Sequence, residues 1–460
     1  MIRRRIATFL AIIAAPLSLA AADADPRRVN LEEAMTIALA EQPSMTIASA
    51  NERIAGIRLQ EARSAWLPVL EASEAYSRGN NPVFVFGSLL EQGRFGAANF
   101  DPAFLNNPPS LTNYRSALSL RYPLFDQFQR IERTAAAKSG VARAAAESSG
   151  TAQSVRLGVL RVFYGALLAA EEERVAEQAV TSAEADVKRI RDRVDTGLLV
   201  QSDLLAAEVQ SATFRQRAVA AQGEAAIARR ALANALGRPH EAFAPDGALV
   251  ARDLPLPDLS TLVASGVDAR SDVRAARLDE TIAATQQRAA AGRLLPRLDA
   301  FANWGASGGS FSQRNSDHTL GVVATWRIAD PTVWQERRRA AEEVKIAEAR
   351  RTETANGAEL AIATAWEHTR AASAREQIAS QSIAQADEVL RIVRDRYEQG
   401  LTSITEVLRA QTALMEARLL ALDAIYDHSI SYAELLASSG RLDSLDMFTR
   451  PAVRSTGEAQ

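Results

Sequence analysis

The chain contains no cysteine. That absence excludes a disulfide framework, a thiolate metal site and an N-terminal lipid carried on cysteine. Histidine is nearly absent as well: His240, His318, His368 and His428 are scattered without ligand spacing, so each reads as a surface or interface residue. No Gly-rich phosphate loop and no nucleophile elbow occur, and with no metal or cofactor expected the chain does not read as an enzyme. Beyond the N-terminus no uninterrupted apolar run is long enough to cross a bilayer as a helix, which excludes a helical membrane protein. Charge of a single sign is missing too. The net charge is -3, with arginines and carboxylates interleaved, which argues against a nucleic-acid surface and for solvated helix faces.

What is present begins with a leader. Arg3, Arg4 and Arg5 precede the apolar run Ile6 to Ala22, which ends in small residues, with cleavage expected after Ala22 or Ala24. Residues 1–24 therefore read as a secretory signal peptide, the run being short for a membrane anchor. Any later membrane attachment must come from strands or from partners.

The remainder is written twice in the same order. WLPVLEA (Trp66 to Ala72) returns as LLPRLDA (Leu294 to Ala300), and YPLFD (Tyr122 to Asp126) as WRIAD (Trp326 to Asp330). RVDTGLLVQSDLLAA (Arg193 to Ala207) returns as RYEQGLTSITEVLRA (Arg396 to Ala410), and LANALGR (Leu232 to Arg238) as LLASSGR (Leu435 to Arg441). A first repeat is expected over 25–237 and a second over 261–441, joined by a linker at 238–260 and followed by a tail at 442–460.

Each repeat reads as helix, two strands, long helix, glycine turn, shorter helix. The long helices are predicted from Gln127 to Thr196 and from Thr332 to Gln399, with no proline inside. At 1.5 Å per residue each would be about 100 Å long. Before each turn the apolar positions step by three and four: Val180, Ala183, Val187, Ile190 and Val194, then Ile383, Ala386, Leu390, Val393 and Tyr397, a coiled-coil seam. Leu31 to Ala65 and Leu199 to Leu236 are predicted as the shorter helices of the first repeat. The glycine turns fall at about 195–200 and 398–403.

Strands are predicted at about 69–78, 114–125, 297–306 and 319–328, from period-2 patterns such as Leu118, Leu120, Tyr122 and Leu124 against Ala117, Ser119 and Arg121. Trp66, Trp304, Trp326 and Trp334 lie in or beside them, with Tyr76, Tyr114, Tyr122 and Phe125, as at a bilayer interface. Four strands cannot close a barrel, and open edges are not tolerated in lipid, so strands would have to be pooled between chains. Gly79 to Leu111 reads as a large extracellular loop, with Val83 to Leu90 either over the barrel mouth or packed within an oligomer; Ser307 to His318 reads as its shorter counterpart.

These residues resemble the TolC family of outer-membrane channel-tunnels, over about Val29 to Arg441. The specific parts are Thr196-Gly197-Leu198 followed by Asp203-Leu204-Leu205, and Gly400-Leu401 followed by Glu406-Val407-Leu408. The resemblance implies a mainly α fold with a membrane β-barrel: a homotrimer whose twelve strands close one barrel, continued by a long α-helical tunnel through the periplasm. It implies an equatorial collar, placed at 238–260 and the tail, and passive passage of cargo in efflux or type I secretion. It also implies three kinds of partner: outer-membrane lipid, a periplasmic adaptor and an inner-membrane transporter. Gly197, Leu198, Gly400 and Leu401 are then the adaptor contacts. Glu406 falls at the position of an acidic gate ring, Asp203 is its first-repeat equivalent, and Arg409 stands where a second acid often occurs, so that it would pair with Glu406. A periplasmic coiled-coil adaptor or scaffold is the alternative, although it would not need two strand pairs.

Overall fold

The computed structural model describes residues 26–443 and 446–449. The signal peptide expected at 1–24 and most of the tail lie outside them. In chain order the elements are β1 (Arg27–Val29), α1 (Leu31–Glu41), α2 (Pro43–Ser64), β2 (Val69–Gly79), α3 (Pro82–Glu91), α4 (Pro102–Asn106), β3 (Leu111–Phe125), α5 (Gln129–Asp195) and α6 (Gln201–Ala235). There follow β4 (Phe243–Pro245), α7 (Leu259–Ala269), α8 (Ser271–Gly292), β5 (Arg297–Gly308), β6 (Asn315–Thr325), α9 (Pro331–Glu398), α10 (Ile404–Ser438) and α11 (Asp446–Thr449).

The chain forms two compact units, and these cut across the sequence repeats, because each unit draws on both. Of the described residues, unit one comprises 26–37, Arg161–Leu249 and Ile383–Asp423; unit two comprises Ala38–Leu160, Val250–Ser382, 424–443 and 446–449. In unit one the seam positions do what their spacing predicts. Ile190, Leu204, Ala207, Leu390, Ile404, Val407, Ala410 and Leu414 are buried together, with Val187, Val194, Val393 and Tyr397 against them. Helices α5, α6, α9 and α10 thus share one apolar interior, each buried aliphatic side chain contributing roughly 1.5–3 kcal/mol. A short parallel ladder joins β1 to β4, Arg27 opposite Phe243 and Val29 opposite Pro245; the Asp246 amide donates to the Val29 carbonyl at 2.8 Å.

Unit two holds a four-stranded antiparallel sheet in the order β2-β3-β5-β6. Its register places Leu70 opposite Leu120, Leu120 opposite Ala302 and Ala302 opposite Leu320. One step along, Ala72, Leu118, Trp304 and His318 form the next row. With Tyr122, Ala300 and Val322 these rows make an apolar band on one face, where Leu320 is 80% exposed, and the next row on that face, Glu74, Ser116, Ala306 and Ser316, is mostly polar. The alternate residues, among them Asn113, Arg115, Ser119, Arg121, Asn303, Ser307, Asp317 and Thr319, make the other face polar. Among the described residues nothing pairs with the outer edge of β2 or of β6.

Several expectations need correction. Leu31 to Ala65 is two helices, because Pro43 has no N–H to give and Gln42 is extended (φ -61°, ψ 127°). The second repeat breaks at the matching place without a proline: Arg270 is extended (φ -65°, ψ 136°), and its guanidinium donates to the Ser438 carbonyl at 3.0 Å. The first long helix starts at Gln129 rather than Gln127, since Gln127 and Phe128 are both left-handed, with φ of 63° and 66°. That turn is held by the Gln127 amide, which donates to the carbonyls of Leu295 and Arg293, and it passes so close to Gly292 that a Cβ there would lie 2.2 Å from the Gln127 carbonyl oxygen. The last strand is Asn315–Thr325, so Trp326 and Ile328 lie beyond it; the Trp326 indole donates to the Leu294 carbonyl at 3.1 Å. The segment from Gly79 to Leu111 is not an open loop but carries α3 and α4, with Val85 and Leu89 buried. Its supposed counterpart is a hairpin turn, because Ser307–Gly308 and Asn315–His318 belong to strands.

Candidate functional site at the paired helix turns

The two turns of unit one are built alike. After α5 the Gly197 amide donates to the Val194 carbonyl at 2.9 Å and the Leu198 amide to the Arg193 carbonyl at 2.8 Å. After α9 the Gly400 amide donates to the Tyr397 carbonyl at 3.0 Å and the Leu401 amide to the Arg396 carbonyl at 2.9 Å. Both are Schellman stops, which satisfy the last helical carbonyls and need a left-handed residue. Gly197 and Gly400 supply it at φ 75° and 73°. An added Cβ would meet nothing within 4 Å at either glycine, so the backbone angle and not crowding by the described residues requires glycine there. Gly237 and Gly440 end α6 and α10 with the same pair of bonds, at φ 79° and 69°.

Past each glycine the chain exposes apolar side chains. Leu198 is 75% and Leu401 64% exposed, and Val200, which the sequence pattern did not single out, is exposed as well. Each next helix then opens with an acid in its first turn, Asp203 in α6 and Glu406 in α10. A carboxylate there suits the positive end of the helix dipole. The Glu406 carboxylate also accepts from Arg409 Nη1 at 2.7 Å, so these two predicted residues do come together. Among the described residues Asp203 makes no such pair; its charge acts on Tyr397. Burial raises the Tyr397 hydroxyl above the usual phenol range, with Arg193 opposing and Asp203 and Asp186 adding to the rise. Its oxygen is buried without a hydrogen-bond partner among the described residues.

Deeper in the same packing lies a polar contact that periodicity did not reveal. Asp186 on α5 is buried and accepts from the side chains of Arg189 and of Gln411 on α10, with Arg394 of α9 at 3.7 Å. Asp186 and Gln411 are 225 residues apart in the chain. Their meeting leaves no local pattern: Asp186 lies beside the seam position Val187 and Gln411 beside the buried Ala410.

The outer membrane efflux protein family matches residues 34–238 and 266–441. No curated protein matches the chain. Among solved structures the chain is similar to the CmeC outer membrane channel of Campylobacter jejuni, at TM-score 0.74 and 18% identity over 90% of this chain and 86% of that one. It is similar to the outer membrane protein VceC of Vibrio cholerae, at TM-score 0.74 and 19% identity over 89% and 96%. It is likewise similar to the MtrE outer membrane channel of Neisseria gonorrhoeae in its open state, at TM-score 0.73 and 19% identity over 90% and 89%. At these identities the structural likeness establishes the fold.

Proposed function

The chain belongs to the outer membrane efflux protein family, and from that premise we propose that three copies assemble into one passive conduit, from a periplasmic adaptor and an inner-membrane transporter to the outside. The family and the fold are those of channel proteins and not of enzymes or adaptors. The observation that carries the proposal is the sheet of unit two. It has one face with an apolar band, one polar face and two unpaired edges among the described residues. Bare strand edges are not tolerated in lipid, and closure removes them. Three sheets joined edge to edge give twelve strands, with the apolar rows Leu70-Leu120-Ala302-Leu320 and Ala72-Leu118-Trp304-His318 toward lipid and the polar face toward a lumen.

In this reading the turns at Gly197 and Gly400 present Leu198, Val200 and Leu401 to the adaptor, six turns in all per trimer. Glu406, tied to Arg409, and Asp203 stand by the periplasmic opening, where a ring of carboxylates favours cations. Transport energy comes from the transporter, since a conduit only lets cargo move down its gradient. Membrane fractionation and the mass of the detergent-solubilised mature protein test the proposal. An outer-membrane trimer is expected; a monomer soluble without detergent overturns it.

A further inference from the structure

Helix α3 stands in the segment between β2 and β3, at the end of the sheet opposite the one from which α5 and α9 depart. It has two apolar faces. Val85 and Leu89 are buried, while Val83, Phe86 and Leu90 are exposed, Val83 by 82%. Positions three and four apart share a helix face, so 83, 86 and 90 form one stripe. Behind it Phe86 packs edge-on to Phe95 at 4.8 Å, and Phe95 to Phe100 at 5.0 Å.

Among the described residues the C-terminal end of α3 is tied to one face of the sheet. Glu91 pairs with Arg115 at 3.1 Å and accepts from the Ser307 hydroxyl at 3.2 Å. Arg115 continues to Asp317 at 3.2 Å. The Gln92 amide donates to Asn113 Oδ1 at 3.0 Å and to the Thr112 carbonyl at 2.9 Å, and the Asn315 amide donates to the Glu91 carbonyl at 3.0 Å. Asn113, Arg115, Ser307 and Asp317 all belong to the polar face. Helix α3 therefore lies over the polar face, and its own sheet leaves the second apolar stripe uncovered.

In a closed barrel with its apolar band in lipid, the polar face lines the lumen, and α3 stands inside the outer mouth. We propose that the α3 helices of three copies meet through Val83, Phe86 and Leu90 and form an apolar constriction there. The inference rests on the trimeric barrel of the preceding subsection. The occupants of the stripe are the other copies of this chain: pairing β2 of one copy with β6 of the next turns each α3 toward the others across the lumen. Apolar rings of this kind impede ions and water by dewetting and yield when their elements part. The constriction acts on whatever has already entered the barrel.

The absence of native cysteine makes the test clean. Val83→Cys and Phe86→Cys are made singly, the solubilised mass is measured, and a short bis-maleimide is applied. The expected result is a trimer in which pairs of copies become covalently linked at both positions. A trimer with no linkage at either position overturns the constriction and leaves the channel standing; absence of a trimer overturns both. A second arm needs no contact between cysteines. Asn303→Cys, on the polar face, is labelled from outside intact cells with a bulky maleimide, with and without Val83→Ser, Phe86→Ser and Leu90→Ser together. Labelling several-fold faster in the serine variant is expected, and an unchanged rate overturns the proposal.

Discussion

The carboxylate of Asp186 on α5 accepts a hydrogen bond from the side-chain amide of Gln411 on α10, within the apolar interior of unit one. The nitrogen of Gln411 faces that carboxylate, and the Gln411 carbonyl is left without a partner among the described residues. Such a polar layer costs stability and fixes the register of the helices around it. Gln411→Leu is expected to destabilise by about 1–3 kcal/mol, because it removes a donor from a buried acceptor. The double variant with Asp186→Leu should recover part of that loss, since no buried carboxylate is then left short of a donor and the arginines that also face Asp186 are partly exposed. Thermal unfolding of the solubilised protein reads both; simple addition of the two single effects would show that the residues are not coupled.

The ion pair of Glu406 with Arg409 bears on conduction. If three copies of Glu406 ring the opening, each is screened by its own Arg409, and Arg409→Ala should strengthen cation preference in planar bilayers. Glu406→Ala should weaken that preference or raise conductance. Selectivity that both variants leave unmoved would remove the pair from the gate.

Gly400 separates a conformational role from a contact role. Its φ of 73° is one that asparagine tolerates and bulky residues resist, at a cost of roughly 1–2 kcal/mol. Gly400→Asn should keep export. Gly400→Phe should abolish export while the trimer still reaches the membrane, because the added ring blocks the adaptor. Normal export by the phenylalanine variant would refute the contact.

Glu172 on α5 gives a pH dependence of defined sign. Burial raises its carboxyl above the usual range, and the nearby Asp423 and Glu224 raise it further. A carboxyl with a raised folded-state pKa contributes stability fully below its unfolded value and loses that contribution as pH rises through the folded value. Glu172→Gln should therefore raise the melting temperature near neutral pH, and by less as the pH falls below the ordinary carboxylate range. Equal effects at both pH values would mean that the charge is not what matters.

The long helices and the glycine turns were legible because their signals are local: a three-four apolar period, then one residue able to take positive φ. Strand faces were legible for the same reason, down to Leu118, Leu120 and Tyr122. Helix α3 was not, since its VFVFGSLL core is rich in residues of strand or loop character, and only packing against β3 and β5 decides it. The start of β6 was hidden because Asn315, Ser316 and Asp317 look like a turn until Arg115 claims Asp317. The break at Arg270 has no proline to announce it. Of the residues at the turns, Glu406 and Arg409 were within reach of local spacing, three apart on one helix, whereas Asp186 and Gln411 are joined only by the folded chain.

The free edges of the sheet carry a genetic consequence. In the proposed ring β2 and β6 are different surfaces, so each copy would offer one strand and receive another, and the ring would tolerate no defective member. A copy with proline placed in β6 would still offer an intact β2 and enter the ring, yet leave it unsealed. In a cell making intact and defective copies equally, about one three-membered ring in every eight would hold none of the defective kind. Given that ring, such an allele would behave as a dominant poison and not as a recessive loss.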